Sequence, residues 1–164
     1  LNAGRIEQTG TPADLYEKPA TVFAARFLGL PPMNILTLGA LRNARATGFK
    51  LPEGGDDWKI GIRPEHVTIS SSGLPVTVKA IDYMGAESIL RLQHDREELM
   101  ARVAGRSTLK LGEALHVSWN STDIHTFDEA GRRREQHSPT PPASLRSVPD
   151  STTRTAPRQN DKTA

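Results

Sequence analysis

The sequence predicts a small, mainly β domain with a helical lead-in and a disordered tail, and three observations predict it. From Trp58 to Ile69 apolar and polar residues alternate as a strand with one buried face requires, interrupted once at Pro64. Between Val76 and Trp119 the alternation returns in short runs separated by turn formers. From Gln136 to Ala164 the chain is dense in Pro, Ser, Thr and Arg, with Leu145 and Val148 its only large aliphatics.

Leu1 to Ile6 reads as a strand-turn-strand already under way, and a first residue other than methionine suggests a piece of a longer chain. Thr11 can cap a helix, Pro12 suits its first position, and the charge of Asp14 meets its N-terminus. Leu15 and Tyr16 are its expected buried face. Pro19 ends that helix and can open another, in which Val22, Phe23, Arg26 and Phe27 follow helical spacing and Gly29 supplies the C-terminal cap. Phe23 and Phe27 form an apolar stripe expected to be partly exposed and to promote association. Leu30 to Asn34, with two prolines, is a stiff linker.

From Ile35 onward the reading is all β. Ile35 to Leu38 is apolar, and Asn43 to Gly48 and Pro52 to Asp57 are loops. The strand opening at Trp58 should stop at Arg63, because Pro64 has no N–H for the ladder. Val67 and Ile69 resume the pattern, which places Arg63, Glu65 and His66 at a corner between two strands. Such a corner either ties itself down through a salt bridge and backbone hydrogen bonds or presents polar groups to a partner. Val76, Val78 and Ala80 follow, then a turn at Tyr83 to Ala86, Leu90 and Leu92, Leu99 to Val103, and Leu115 to Trp119. Five or more short strands at this spacing fit a closed or nearly closed barrel of the OB type.

In a chain of 164 residues with net charge +2 there is room for one modest domain, and no strong polyanion-binding face is implied. There is no cysteine, which removes disulfides and thiolate chemistry. No apolar run is long enough to span a bilayer as a helix.

The corner Gly61-Ile62-Arg63-Pro64-Glu65-His66 resembles a signature in the C-terminal domain of ATP-binding subunits of carbohydrate-type ABC importers. Gly4 to Gln8, Gly10-Thr11-Pro12, Leu15-Tyr16, Pro19-Ala20, Phe27-Leu28-Gly29 and Met33-Asn34 are similar to the end of the nucleotide-binding domain in that family. Gly85-Ala86-Glu87 and His125 to Gly131 resemble later landmarks, so that the likeness covers Leu1 to Arg134 in order. The resemblance implies a nucleotide-binding-domain remnant over 1–30, an OB-like TOBE/MOP regulatory domain over 31–134 and a disordered tail over 135–164. It further implies a second ATPase subunit and membrane subunits as partners, ATP and Mg in the parent protein, and a cytoplasmic place beneath the inner membrane. Tyr83 to Ser88 and Pro32-Met33-Asn34 look closest to importers of sn-glycerol-3-phosphate, with sugar importers next.

Catalytic chemistry finds no support in the residues. A phosphate loop needs glycines before Lys-Ser or Lys-Thr, and the one Lys-Thr pair, Lys162-Thr163, has none. His66, His94, His116, His125 and His137 are scattered without metal-ligand spacing and read as surface or corner residues, His116 facing outward. No catalytic, cofactor or metal residue is expected, so this portion is not an enzyme. Arg132-Arg133-Arg134 reads as a solvated basic turn. The expected communicating surface is Arg63, Glu65 and His66 together with His125, Phe127 and Asp128, serving a regulator or small ligand. A stand-alone oxyanion-binding domain, with Ser70 to Gly73 supplying backbone N–H groups, is the alternative. Nucleic-acid binding is disfavoured, because Trp58, Tyr83 and Trp119 sit in core-like patterns and not on a basic groove.

Overall fold

A computed structural model describes residues 4, 6–44 and 50–135. The Leu1 to Ile6 strand-turn and the Asn43 to Gly48 loop lie largely, and the tail from Gln136 wholly, outside the described residues. Helices α1 (Pro12–Glu17) and α2 (Val22–Phe27) precede β1 (Asn34–Thr37), α3 (Leu38–Asn43), β2 (Lys59–Ile62) and a 3-10 turn at Pro64–His66. There follow β3 (Thr68–Ser70), β4 (Leu74–Tyr83), β5 (Glu87–His94), β6 (Glu97–Ala104), β7 (Ala114–Ser118), β8 (His125–Phe127) and β9 (Arg133–Arg134). The fold is mainly β and OB-like, a curled antiparallel half-barrel. Its ladders run β1-β2-β8-β9 and β3-β7-β4-β5-β6.

Most of the core lies between the two sheets. Ile60 and Ile62 from β2, Val76 and Val78 from β4, Leu90 and Leu92 from β5, Leu99 and Ala101 from β6 and Val117 from β7 share one cluster with Trp119. These are the alternating positions of each strand, so the period-two pattern has become one apolar interior. A bulge between Val78 and Ala80 breaks the β4–β5 register.

Four local readings are corrected. Leu38 does not extend the preceding strand; it opens α3, with the Thr37 hydroxyl accepting from the Ala40 amide at 3.4 Å. Leu38 and Leu41, three apart, are buried, a spacing that an apolar run ending in Gly39 hides. Leu15 is only half-buried, Tyr16 is exposed, and α1 buries no residue at all. Ile69 is exposed on the edge strand β3 although Val67 is buried.

Fourth, β2 has no solvent face. Its Gly61 side is covered by a second small cluster of Ala25, Met33, Ile35 and Phe127. A β-carbon at Gly61 would stand 2.5 Å from Met33 Sδ and 2.9 Å from Phe127 Cε2, so only glycine fits there. Gly61→Val is therefore expected to lower unfolding free energy by about 2 kcal/mol in urea titration, with Gly61→Ala losing less because the methionine can yield.

At the other edge, the side-chain amide of Asn34 stands in for a strand. It donates to the Met100 carbonyl at 2.8 Å and accepts from the Met100 amide at 2.7 Å. The β6 edge is thereby satisfied at Met100, where no further strand among the described residues pairs with it.

Candidate functional site

Arg63 follows β2 in extended backbone, and Pro64 and Glu65 then turn the chain away in a single 3-10 turn. The extended residue directs its side chain inward, where it is 2% exposed. Its guanidinium donates to the carbonyls of Leu28 and Tyr16, each at 2.6 Å, and more weakly to that of Ala25 at 3.5 Å. These are the carbonyls that a helix leaves unpaired at or near its C-terminus. One planar cation therefore closes the ends of both α1 and α2.

The Tyr16 ring lies beneath that guanidinium, 3.7 Å from its carbon, and the Tyr16 hydroxyl donates to Glu65. Burial raises the Tyr16 phenol and the Glu65 bond raises it further. For Glu65 burial acts upward, but the Tyr16 hydroxyl, its own backbone and Arg102 hold the carboxyl below its ordinary value. Gly29, at φ 109°, leaves space for this arrangement: a β-carbon would sit 3.0 Å from Arg63 Nη1 and 3.2 Å from Tyr16 Cε2. Arg102 reaches across to the Leu30 carbonyl at 2.7 Å.

The second part of the expected surface lies beside the first because β8 pairs with β2, His125 opposite Gly61 and Phe127 opposite Lys59. Asp128 is buried and closes the turn after β8. Its Oδ1 accepts from the Arg132 amide at 2.9 Å, and its Oδ2 from Arg134 Nη2 at 2.8 Å. The Arg132 amide, with both arginines, holds its carboxyl below the usual range. Arg132 bridges to Thr21 and β9 pairs with β8, so the expected solvated basic turn is an element of the sheet.

His125 is half-buried with Nδ1 unpartnered. Burial, then the charges of Arg133, Arg63 and His66, lower its pKa from 6.5 to about 4. Between those values the unfolded chain binds the proton and the folded chain does not, so stability falls as pH drops through that window. Acidification from pH 7 to pH 5 is expected to cost about 1 kcal/mol through this residue, allowing for solvent screening. Urea midpoints should show His125→Gln with a flatter profile over that range.

Of the six expected surface residues, the structure buries Arg63, Phe127 and Asp128, leaving Glu65 and His125 partly open and His66 exposed. The corner thus faces inward more than outward. No Arg63–Glu65 ion pair forms among the described residues; the arginine goes to carbonyls and the glutamate to Tyr16. Tyr16 was not foreseen here, and its only sequence signal is an aromatic on a helix too short to bury it. His94 is buried, Nδ1 2.7 Å from the Pro75 carbonyl, and is not a surface residue. Ser70 to Gly73 form a turn tied by the Ser72 amide and Ser70 hydroxyl at 3.4 Å.

Tyr83, expected in the core, is 53% exposed and lines a shallow groove of about 680 Å3 with Met84, Pro31, Pro32 and Met100. Among the described residues no cluster of His, Asp and Glu could hold a metal ion. No described helix is long and apolar enough to cross a membrane.

Residues 60–127 match the TOBE domain family. The chain is 41% identical over 145 residues to an sn-glycerol-3-phosphate import ATP-binding protein of Agrobacterium fabrum, covering 81% of this chain and 41% of that protein. It is 42% identical over 145 residues to the sn-glycerol-3-phosphate import ATP-binding protein of Brucella abortus, with 81% and 40% covered. With the Escherichia coli protein of that name the identity is 34% over 150 residues, with 81% and 42% covered. The chain thus spans about two fifths of the length of the curated relatives it matches.

Proposed function

We propose, for a chain that carries a TOBE domain and is related over most of its length to importer ATP-binding proteins, that it is the regulatory and dimerising portion of an ABC importer ATPase. The whole protein would energise uptake of sn-glycerol-3-phosphate or sugars. The observation that carries this reading is the 41–42% identity to proteins named for sn-glycerol-3-phosphate import. That likeness covers 81% of this chain, more than the segment that matches the TOBE family. Residues 1–30 would then close the nucleotide-binding domain and 31–134 form the regulatory domain.

The described residues do not fit a nucleotide site. They offer no glycine-rich loop leading to Lys-Ser or Lys-Thr and no acidic cluster for Mg2+. ATP and Mg2+ would be held by the rest of the subunit, which would pair with a second copy and with membrane subunits at the cytoplasmic face of the inner membrane.

The exposed apolar face of α2 supports a packing role. Phe23 and Phe27 stack with centroids 5.9 Å apart and are 36% and 74% exposed, and Leu30 beside them is 90% exposed. Phe23→Ser combined with Phe27→Ser is expected to reduce self-association of the chain in sedimentation velocity while leaving its circular dichroism unchanged.

A chimera tests the function. This chain replaces the matching region of the Escherichia coli relative, and sn-glycerol-3-phosphate uptake is measured in cells lacking the native subunit. Uptake near the native rate supports the reading. A stable, ATP-hydrolysing chimera without uptake contradicts it.

A further inference from the structure

α1 and α2 are held in different ways. α2 buries Ala24 and Ala25, and the chain around it joins the sheet. The Val22 amide donates to the Gly131 carbonyl at 2.9 Å, the Arg133 amide donates to the Ala20 carbonyl at 2.8 Å, and Thr21 bridges to Arg132. α1 has none of these attachments. It buries nothing, and among the described residues the bonds from it to the β-domain are those of Tyr16 with Arg63 and Glu65.

The ends of α1 are nonetheless tethered. The Gln8 side chain accepts from the Ala20 amide at 2.7 Å and donates to the Lys18 carbonyl at 3.0 Å, closing residues 9–17 into a loop with a fixed base. Within that loop the helix carries its own capping box, Thr11 with Asp14. Lys18, at φ −132° and ψ 59°, already breaks the helix at the base.

We propose that residues 9–17 form a flap, hinged at its Gln8–Lys18–Ala20 base and latched by the contacts that Tyr16, in the last turn of α1, makes with Arg63 and Glu65. Opening the flap leaves α2 and the sheet in place and bares the Arg63 guanidinium, the Glu65 carboxylate and the Leu28–Gly29 backbone. Few buried contacts and one latch give this segment a low cost of local opening.

The chain has no cysteine, so paired spin labels can be placed at introduced cysteines with no native thiol to compete. Ala13→Cys on the flap and Arg26→Cys on α2 are each paired with His116→Cys on β7, all three being exposed positions. Distances are then measured in the full chain. Unaltered, both pairs should give one narrow distance, with the closed flap above about nine tenths of the molecules. Tyr16→Ala should carry more than about half of the flap pair into a longer or broader distribution and leave the α2 pair narrow. Arg63→Lys, which keeps the charge but loses the planar fork, should do the same to a lesser degree. A flap pair that stays narrow in both variants overturns the proposal, as does a broad flap pair in the unaltered chain. Broadening of both pairs together would also overturn it, because the two helices would then be released as one body.

Discussion

Arg63→Ala is expected to remove about 4 kcal/mol of unfolding free energy, combining two lost charge-assisted hydrogen bonds with the packing of a long buried side chain. The bonds lost are those to the Leu28 and Tyr16 carbonyls, at 2.6 Å each. Arg63→Met separates the two contributions, since it keeps most of the volume. Burying a charge is itself costly, so an apolar replacement recovers part of the loss, and about 2 kcal/mol is expected for methionine. Chemical denaturation of the three proteins checks both values through the midpoint at constant m. A loss below about 0.5 kcal/mol for alanine, the scale of an ordinary surface substitution, would refute the anchoring role.

Phe127→Ala is expected to cost a similar amount, about 4 kcal/mol, through a different mechanism. Phe127 is fully buried with Ala25, Met33 and Ile35 against the Gly61 side of β2. This small cluster joins α2, β1, β2 and β8, and little else is at hand to fill the space. The absence of a β-carbon at Gly61 is what admits the ring, so the two positions are coupled. Phe127→Leu combined with Gly61→Ala should lose less than the sum of the single changes, as interaction through a shared cavity requires. Thermal denaturation monitored at two wavelengths reports whether the small cluster melts with the main core.

The strands were legible because their chemistry is local. Alternation from Val76 to Trp119 marked the strands that became β4 to β7, and Thr11, Pro12 and Asp14 marked the start of α1, where the capping box forms. The corner was legible as a corner, since Pro64 ends a ladder wherever it falls. Its direction was not. An arginine between a strand and a proline can tie itself to backbone or present its charge, and only the helix carbonyls brought by residues far off in sequence make it a buried cap. The inward role of Asp128 escaped for the same reason, because its partners, Arg132 and Arg134, read as a free basic run. Tyr83 failed in the opposite sense: it ends β4 where the strand overruns the core, so its place in the alternation no longer implied burial.

The Gly61 to His66 stretch is therefore a joint between the helical lead-in and the β-domain. Glycine admits the Phe127 ring, isoleucine enters the core, arginine closes two helix ends, proline turns the chain and glutamate receives the Tyr16 hydroxyl. His66 is left at the surface.

A double-mutant cycle between Tyr16→Ala and Arg63→Met tests this joint most directly, with unfolding free energies measured for all four proteins. The joint predicts a coupling of at least about 1 kcal/mol, because either change removes the same stack of the Tyr16 ring on the Arg63 guanidinium. Additivity within about 0.4 kcal/mol would contradict it, leaving Arg63 as a core residue that happens to lie beneath a helix.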